Sequence, residues 1–221
     1  MNRIIPTCET AVSTLPEWHR AAFKDCEDRV TSAEGWSPGA LNLAQGVASK
    51  VHEQLIHNAV SRLLIDLACA PDDPARWSDR SMSLTDDQRR KLDERDQKNF
   101  LDAIENRITG AIRQQNQPVH VSFDTRRDLG GASIVIECDP RLSEEADFAR
   151  KVEAALKSRL PEISIRVDAS PTRGLAAWLR ERHPGVFSLK LVAIQSSFLE
   201  GKPLPWTSVK KAVIDSLADL R

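Results

Sequence analysis

The sequence predicts an α/β fold with three layers, α/β/α, around a largely parallel mixed central sheet. Three observations support this. Short apolar strand candidates alternate along the chain with helical segments long enough to cover a sheet. One candidate, Val60 to Leu67, is almost continuously apolar, as in a strand covered on both faces. A chain of 221 residues, 41% apolar and 29% charged, suits a single domain over 1–221 with a sizeable core.

The elements follow in order. Arg3 to Cys8 is a short apolar run whose Pro6 suits an edge or a strand end. Glu17 to Val30 has the pattern of a helix. Gly35-Trp36-Ser37-Pro38-Gly39 is a turn in which Ser37 can cap and Pro38 can open the next helix. Leu41, Ala44, Val47, Ala48 and Val51 carry that helix to about Glu53. Leu55 to His57 and Val60 to Leu67 are strand candidates, and the Pro-, Asp- and Ser-rich stretch Ala70 to Ser83 is a surface loop. Thr85 with Gln88 forms a capping box opening a long helix to Gln115, whose stripe is Leu92, Leu101, Ile104, Ile108 and Ile112. Val119 to Phe123 and Ile134 to Cys138 are strands. Ser143 caps a helix bearing Ala149, Val152, Leu156 and Leu160 on one face. A strand at Ile163 to Val167, a helix at Gly174 to Arg182, a strand at Phe187 to Ile194 and a helix at Ser208 to Leu220 complete the fold.

Composition excludes several functions. Lys and Arg number 31 against 32 Asp and Glu, so a net charge of -1 gives no field for nucleic acid or anionic lipid. No apolar run reaches the ~18 residues of a membrane span, and Met1 to Thr14 lacks an export signal, so a cytoplasmic protein is expected. Cys8, Cys26, Cys69 and Cys138 are too scattered for a zinc knuckle or redox pair and are expected as buried free thiols. There is no tyrosine to act as an acid. His52 and His57 stand at i and i+5, about 140 degrees apart on a helix, and cannot share one zinc from a regular helix. His19 and His183 are expected at the surface, and His120, inside VHVSF, as a satisfied structural histidine. No phosphate loop, dinucleotide fingerprint or GxSxG elbow is present.

Polar residues gather where the predicted strands end: Glu9 and Thr10, Arg62 and Asp66, then Asp124 with Arg126 and Arg127. In open α/β sheets the crevice beyond the carboxyl ends of the strands takes ligands. A buried Arg62–Asp66 pair would also account for two of them.

These residues lie in motifs that resemble the N-formylglutamate amidohydrolase family. Cys8-Glu9-Thr10 matches its Cys-Glu-His, and Gly35-Trp36-Ser37-Pro38-Gly39-Ala40 its Gly-Trp-Asp-x-Gly-Ala. Ser61 to Cys69 is similar to its Ser-Arg-Leu-hydrophobic-hydrophobic-Asp-hydrophobic-Asn-Arg, and Asp124 to Arg127 stands where the family has His-Ser-Phe-Thr. Cys138-Asp139-Pro140 resembles Tyr-Asp-Pro, and Leu189 to Gln195 its Ile-Glu-Leu-Glu-hydrophobic-Asn-Gln strand. The similarity runs in order from Ile4 to Trp206. It implies the phosphorylase/hydrolase-like fold of the zinc carboxypeptidases and, for active members, zinc-assisted hydrolysis of an amide or formamide bond in a small acidic substrate.

The departures are as informative. Where the family has His, Asp, Asn-Arg, His and two Glu, this chain has Thr10, Ser37, Ala68-Cys69, Asp124, Lys190 and Val192. Zinc hydrolysis needs imidazole or carboxylate ligands, an open position and a base. The expectation is therefore an amidohydrolase-like protein without a zinc site or other cofactor, catalytically inactive or altered, acting in binding or interaction. The alternative is an active amidohydrolase for small N-acyl amino acids with Glu9 and Asp124 as its catalytic carboxylates. In either case Arg62, Asp66 and Arg126 are the expected contacts for a small acidic ligand. The long helix and five tryptophans allow an oligomeric scaffold, and oligomeric state stays open.

Overall fold

A computed structural model describes residues 1–169, 173–199 and 203–221. Six strands form one sheet: β1 (Asn2–Cys8), β2 (Ile56–His57), β3 (Gln117–Arg126), β4 (Ile134–Cys138), β5 (Ile165–Ala169) and β6 (Phe187–Ile194). Their order is β2-β1-β3-β6-β4-β5. Every adjacent pair is parallel except β4 and β6, which run antiparallel. The three-layer α/β fold with a mostly parallel mixed sheet is thus what the chain adopts. β2 pairs only with Thr7 and Cys8, so Pro6 loses no strand partner on that side.

Eight helices stand among the described residues: α1 (Glu27–Thr31), α2 (Ala40–Val51), α3 (Asp86–Leu92), α4 (Lys98–Arg113), α5 (Ser143–Arg159), α6 (Gly174–Arg182), α7 (Ser196–Leu199) and α8 (Pro203–Asp219). Helices α2, α5 and α8 close one face, where Leu43, Val47, Val152, Leu156, Val213 and Leu217 meet Ile4, Val121 and Leu189 of the strands. Helices α4 and α6 lie on the other with α1, the 3-10 segment before it and residues 60–67, burying Phe23, Leu64, Ile104, Ile108 and Leu179. The capping box of Thr85 and Gln88 is present in both directions.

Several expected elements differ. Val60 to Leu67 is buried but is not a strand. Leu64 and Ile65 donate their amides to the Ser61 carbonyl, while the Asn58 side chain accepts from the Val60 amide and donates to the Ile65 carbonyl. Local turns satisfy the backbone, so apolar continuity marks burial here and not strand pairing. Glu17 to Val30 splits into a 3-10 segment, Glu17–Phe23, and α1, because Cys26 leaves helical geometry (φ -148°, ψ 33°). The helix from Thr85 is interrupted by a π turn at Asp93–Gln97. Pro38 does not open α2, since Gly39, at φ 89°, precedes its first residue Ala40. Leu142, not Ser143, precedes α5. β5 starts two residues later than expected, and α8 starts earlier. His19 is buried rather than at the surface, and Cys69 is only partly buried. No helix among the described residues is long and apolar enough to cross a membrane.

Candidate functional site

Strand periodicity and register build the site. Alternate residues of a strand face opposite sides of the sheet, so Ile5 and Thr7 share a face, as do His120, Ser122 and Asp124 of β3, and Ser188 and Lys190 of β6. Register then aligns them in rows: Ile5, His120 and Ser188 in one, Thr7, Ser122 and Lys190 in the next. The antiparallel strand β4 adds Glu137 opposite Lys190. Glu9 follows β1 directly. The result is a polar field on the α4 and α6 side of the sheet, toward the carboxyl ends of β1, β3 and β6.

Two carboxylates organise it. Glu9 accepts from Thr7 Oγ1 at 2.5 Å and from Ser122 Oγ. Burial pushes its carboxyl above the usual range, against the pull of Lys190 and the two hydroxyls. Asp124 accepts from Ser37 Oγ at 2.5 Å and from the Thr125 amide at 2.8 Å, and its second oxygen lies 3.2 Å from Lys190 Nζ. Burial would raise Asp124 too, but Lys190, Ser37 and Arg126 hold it below its ordinary value. Lys190 in turn is held up by Asp124, Glu9 and Glu137 against its own desolvation. Arg126 spans the rim, 3.6 Å from Asp124 and 3.0 Å from Glu137.

Thr10 and Ser37, which stand where the family resemblance implies a histidine and an aspartate, converge on Asp124. Thr10 Oγ1 donates to Ser37 Oγ at 2.8 Å and approaches Asp124 at 3.4 Å. These side chains come together with Lys190, and the donor set is two hydroxyls, one carboxylate and an ammonium. That set does not fit a zinc ion: hydroxyls are poor neutral ligands, and the ammonium would stand beside the metal and repel it. Among the described residues no group of three or more His, Cys, Asp or Glu side chains is arranged to hold a metal.

Arg62 and Asp66 form their own pair, with Nη2 and Nε 2.5 and 3.1 Å from one Asp66 oxygen. The other Asp66 oxygen accepts from the Ala68 amide at 3.0 Å. This pair fixes the turn that replaces the expected strand. Of the five residues singled out by sequence, only Glu9 lines the cleft, a space of about 250 Å³ bounded also by His120, Ser122, Ser188, Lys190 and Arg173. Its far wall is the start of α6. Gly174 sits there at φ +63°, where a Cβ would come 2.3 Å from the Ala68 carbonyl oxygen, and the Leu175 amide donates to that same oxygen at 2.9 Å.

Sequence reasoning missed Thr7, Ser122, Ser188 and the pair Glu145 and Arg180. Glu145 is fully buried, accepts the Asp139 and Ser188 amides at 2.8 Å, and meets Arg180 at 2.7 Å. The available signal was parity: Thr7 and Glu9, His120, Ser122 and Asp124, and Ser188 and Lys190 are each spaced by two in, or one residue beyond, segments already recognised as strands.

No protein-family model and no curated protein sequence matches the chain. Its fold is similar to that of solved structures. Gene product Atu2144 from Agrobacterium tumefaciens is 18% identical with a TM-score of 0.74, over 99% of this chain and 92% of that one. N-formylglutamate amidohydrolase from Ralstonia eutropha JMP134 is 14% identical with a TM-score of 0.69, over 98% and 93%. At these identities the likeness is one of fold.

Proposed function

We propose that this chain uses an N-formylglutamate amidohydrolase-like scaffold without metal chemistry, as a binding protein whose cleft takes a small acidic ligand. One observation carries the reading: Lys190 Nζ stands 3.2 Å from Asp124 Oδ2 and under the field of Glu9 and Glu137. The charge that carboxylates here would otherwise seek from a divalent ion is supplied by a side chain. Lys190 and Arg173 on the cleft lining are the groups that would meet the ligand's acid. The test is metal analysis of protein purified without chelator and then dialysed against zinc. Substoichiometric, easily removed zinc is expected. One tightly held zinc per chain, lost in Asp124→Asn, would refute the reading.

The second reading is an active, metal-free amidohydrolase, favoured by the position of Glu9. Its carboxyl lines the cleft in an environment that favours the neutral acid, which suits proton donation to a leaving group. It requires turnover of N-formyl or N-acyl amino acids that survives exhaustive chelation and is lost in Glu9→Gln. Turnover unchanged in that variant would eliminate it.

A further inference from the structure

A continuous hydrogen-bond chain crosses three strands on the cleft side of the sheet. Ser188 Oγ lies 2.7 Å from His120 Nδ1, His120 Nε2 lies 2.8 Å from Thr7 Oγ1, and Thr7 Oγ1 lies 2.5 Å from Glu9 Oε1. Its direction in the resting state follows from donor counting with Glu9 ionised. The carboxylate then only accepts, so the one hydroxyl proton of Thr7 is committed to it. The Thr7 oxygen must then accept, which places the imidazole proton on Nε2. Nδ1 is left bare, and it accepts from Ser188. The Ser188 backbone is held as well, its amide on Glu145 Oε2 at 2.8 Å and its carbonyl on Arg180 Nη2 at 2.5 Å.

A hydroxyl pointed at a bare imidazole nitrogen, with the far side of the ring held by a third group, is the arrangement of an activated nucleophile. Ser188, His120 and Glu9 all line the cleft, and so does Lys190, two residues beyond Ser188 on the same face of β6. The geometry points to a metal-free acyl-transfer site with Ser188 as nucleophile and His120 as its base, acting on small amides or esters that carry an acidic group. Thr7 and Glu9 are its positioning residues.

The step balances. Ser188 Oγ bonds to the acyl carbon while its proton moves to His120 Nδ1, the Nε2 proton to Thr7, and the Thr7 proton to Glu9. Breaking the acyl C–N or C–O bond returns the proton along the same path to the leaving group, and water then cleaves the Ser188 ester. Burial disfavours imidazolium at His120 and holds its pKa down to about 3, whereas it favours the acid form of Glu9. The relay therefore ends at the carboxylate and not on the ring. Lys190 is the cation available to the developing oxyanion.

This inference rests on the zinc-free reading of the cleft, and the two can fail separately, since metal analysis tests one and covalent labelling the other. The full chain is treated with diisopropyl fluorophosphate and examined by intact mass and peptide mapping. A single adduct on Ser188 is expected, absent in Ser188→Ala. Labelling should slow by at least ~100-fold in His120→Gln and Thr7→Val and be near the parent rate in Thr7→Ser, which keeps the hydroxyl. If His120→Gln fails to fold by circular dichroism, the two Thr7 variants decide. Absence of an adduct on Ser188, or equal labelling of Thr7→Val and Thr7→Ser, would overturn the proposal.

Discussion

The two faces of the central sheet are built from the same strands and could hardly differ more. On the side of α2, α5 and α8, the alternate residues Ile4, Val119, Val121, Phe123, Leu189 and Leu191 form an apolar layer, all essentially inaccessible. One residue along, toward α4 and α6, stand Thr7, His120, Ser122, Asp124, Ser188 and Lys190. Apolar packing on the first face is sufficient reason for those residues. Burying carboxylates, an imidazole and an ammonium on the second is not a route to stability, because desolvation consumes much of what pairing returns. The second face is therefore the one whose residues call for a functional explanation.

The largest effects test that contrast directly. Phe123→Ala should destabilise by ~3–5 kcal/mol through the cavity it leaves, and Lys190→Ala by a similar ~3–5 kcal/mol by stranding Asp124 without its partner. The two losses should part in repair. Lys190→Met combined with Asp124→Leu should recover most of the stability in urea unfolding, and a double variant as unstable as Lys190→Ala would show that the polar face is a structural requirement after all.

A smaller effect comes from Glu9, whose sign is opposite to that of Asp124. Asp124, held low, contributes stability above the ordinary carboxylate range that is lost as pH falls through its depressed value. Glu9, held high, binds its proton more tightly in the fold, so stability falls as pH rises from the ordinary carboxylate range through its raised value. Glu9→Gln should therefore raise the melting temperature at neutral pH, with the gain vanishing below the ordinary carboxylate range. A gain that persists at acid pH would contradict this assignment. Smallest is Arg62→Lys. Its partly exposed pair with Asp66 is expected to be worth under ~1 kcal/mol, and a larger loss would move that pair into the site.

The sequence made the order and type of most strands and helices legible, because 2.0 and 3.6 periodicities are local. Thr85 and Gln88 announced their cap for the same reason. What it could not convey was register, the offset that sets Lys190 beside Asp124 and Ser188 beside His120, since those pairings join residues more than sixty apart. Val60 to Leu67 misled because burial and strand pairing leave the same apolar trace. Thr7, Ser122 and Ser188 passed unnoticed because a strand hydroxyl carries no signal until its cross-strand neighbours are known. The charged residues Arg62 and Asp66 drew notice and proved to be each other's partners.

Gly174 sets the aperture of all this chemistry. The Ala68 carbonyl oxygen fills the place where any other residue at that position would carry its first carbon, so the start of the helix stands as close to the Ala68 turn as a missing methyl allows. A single added carbon would force these two parts of the cleft lining apart, altering which molecules fit without touching one polar group.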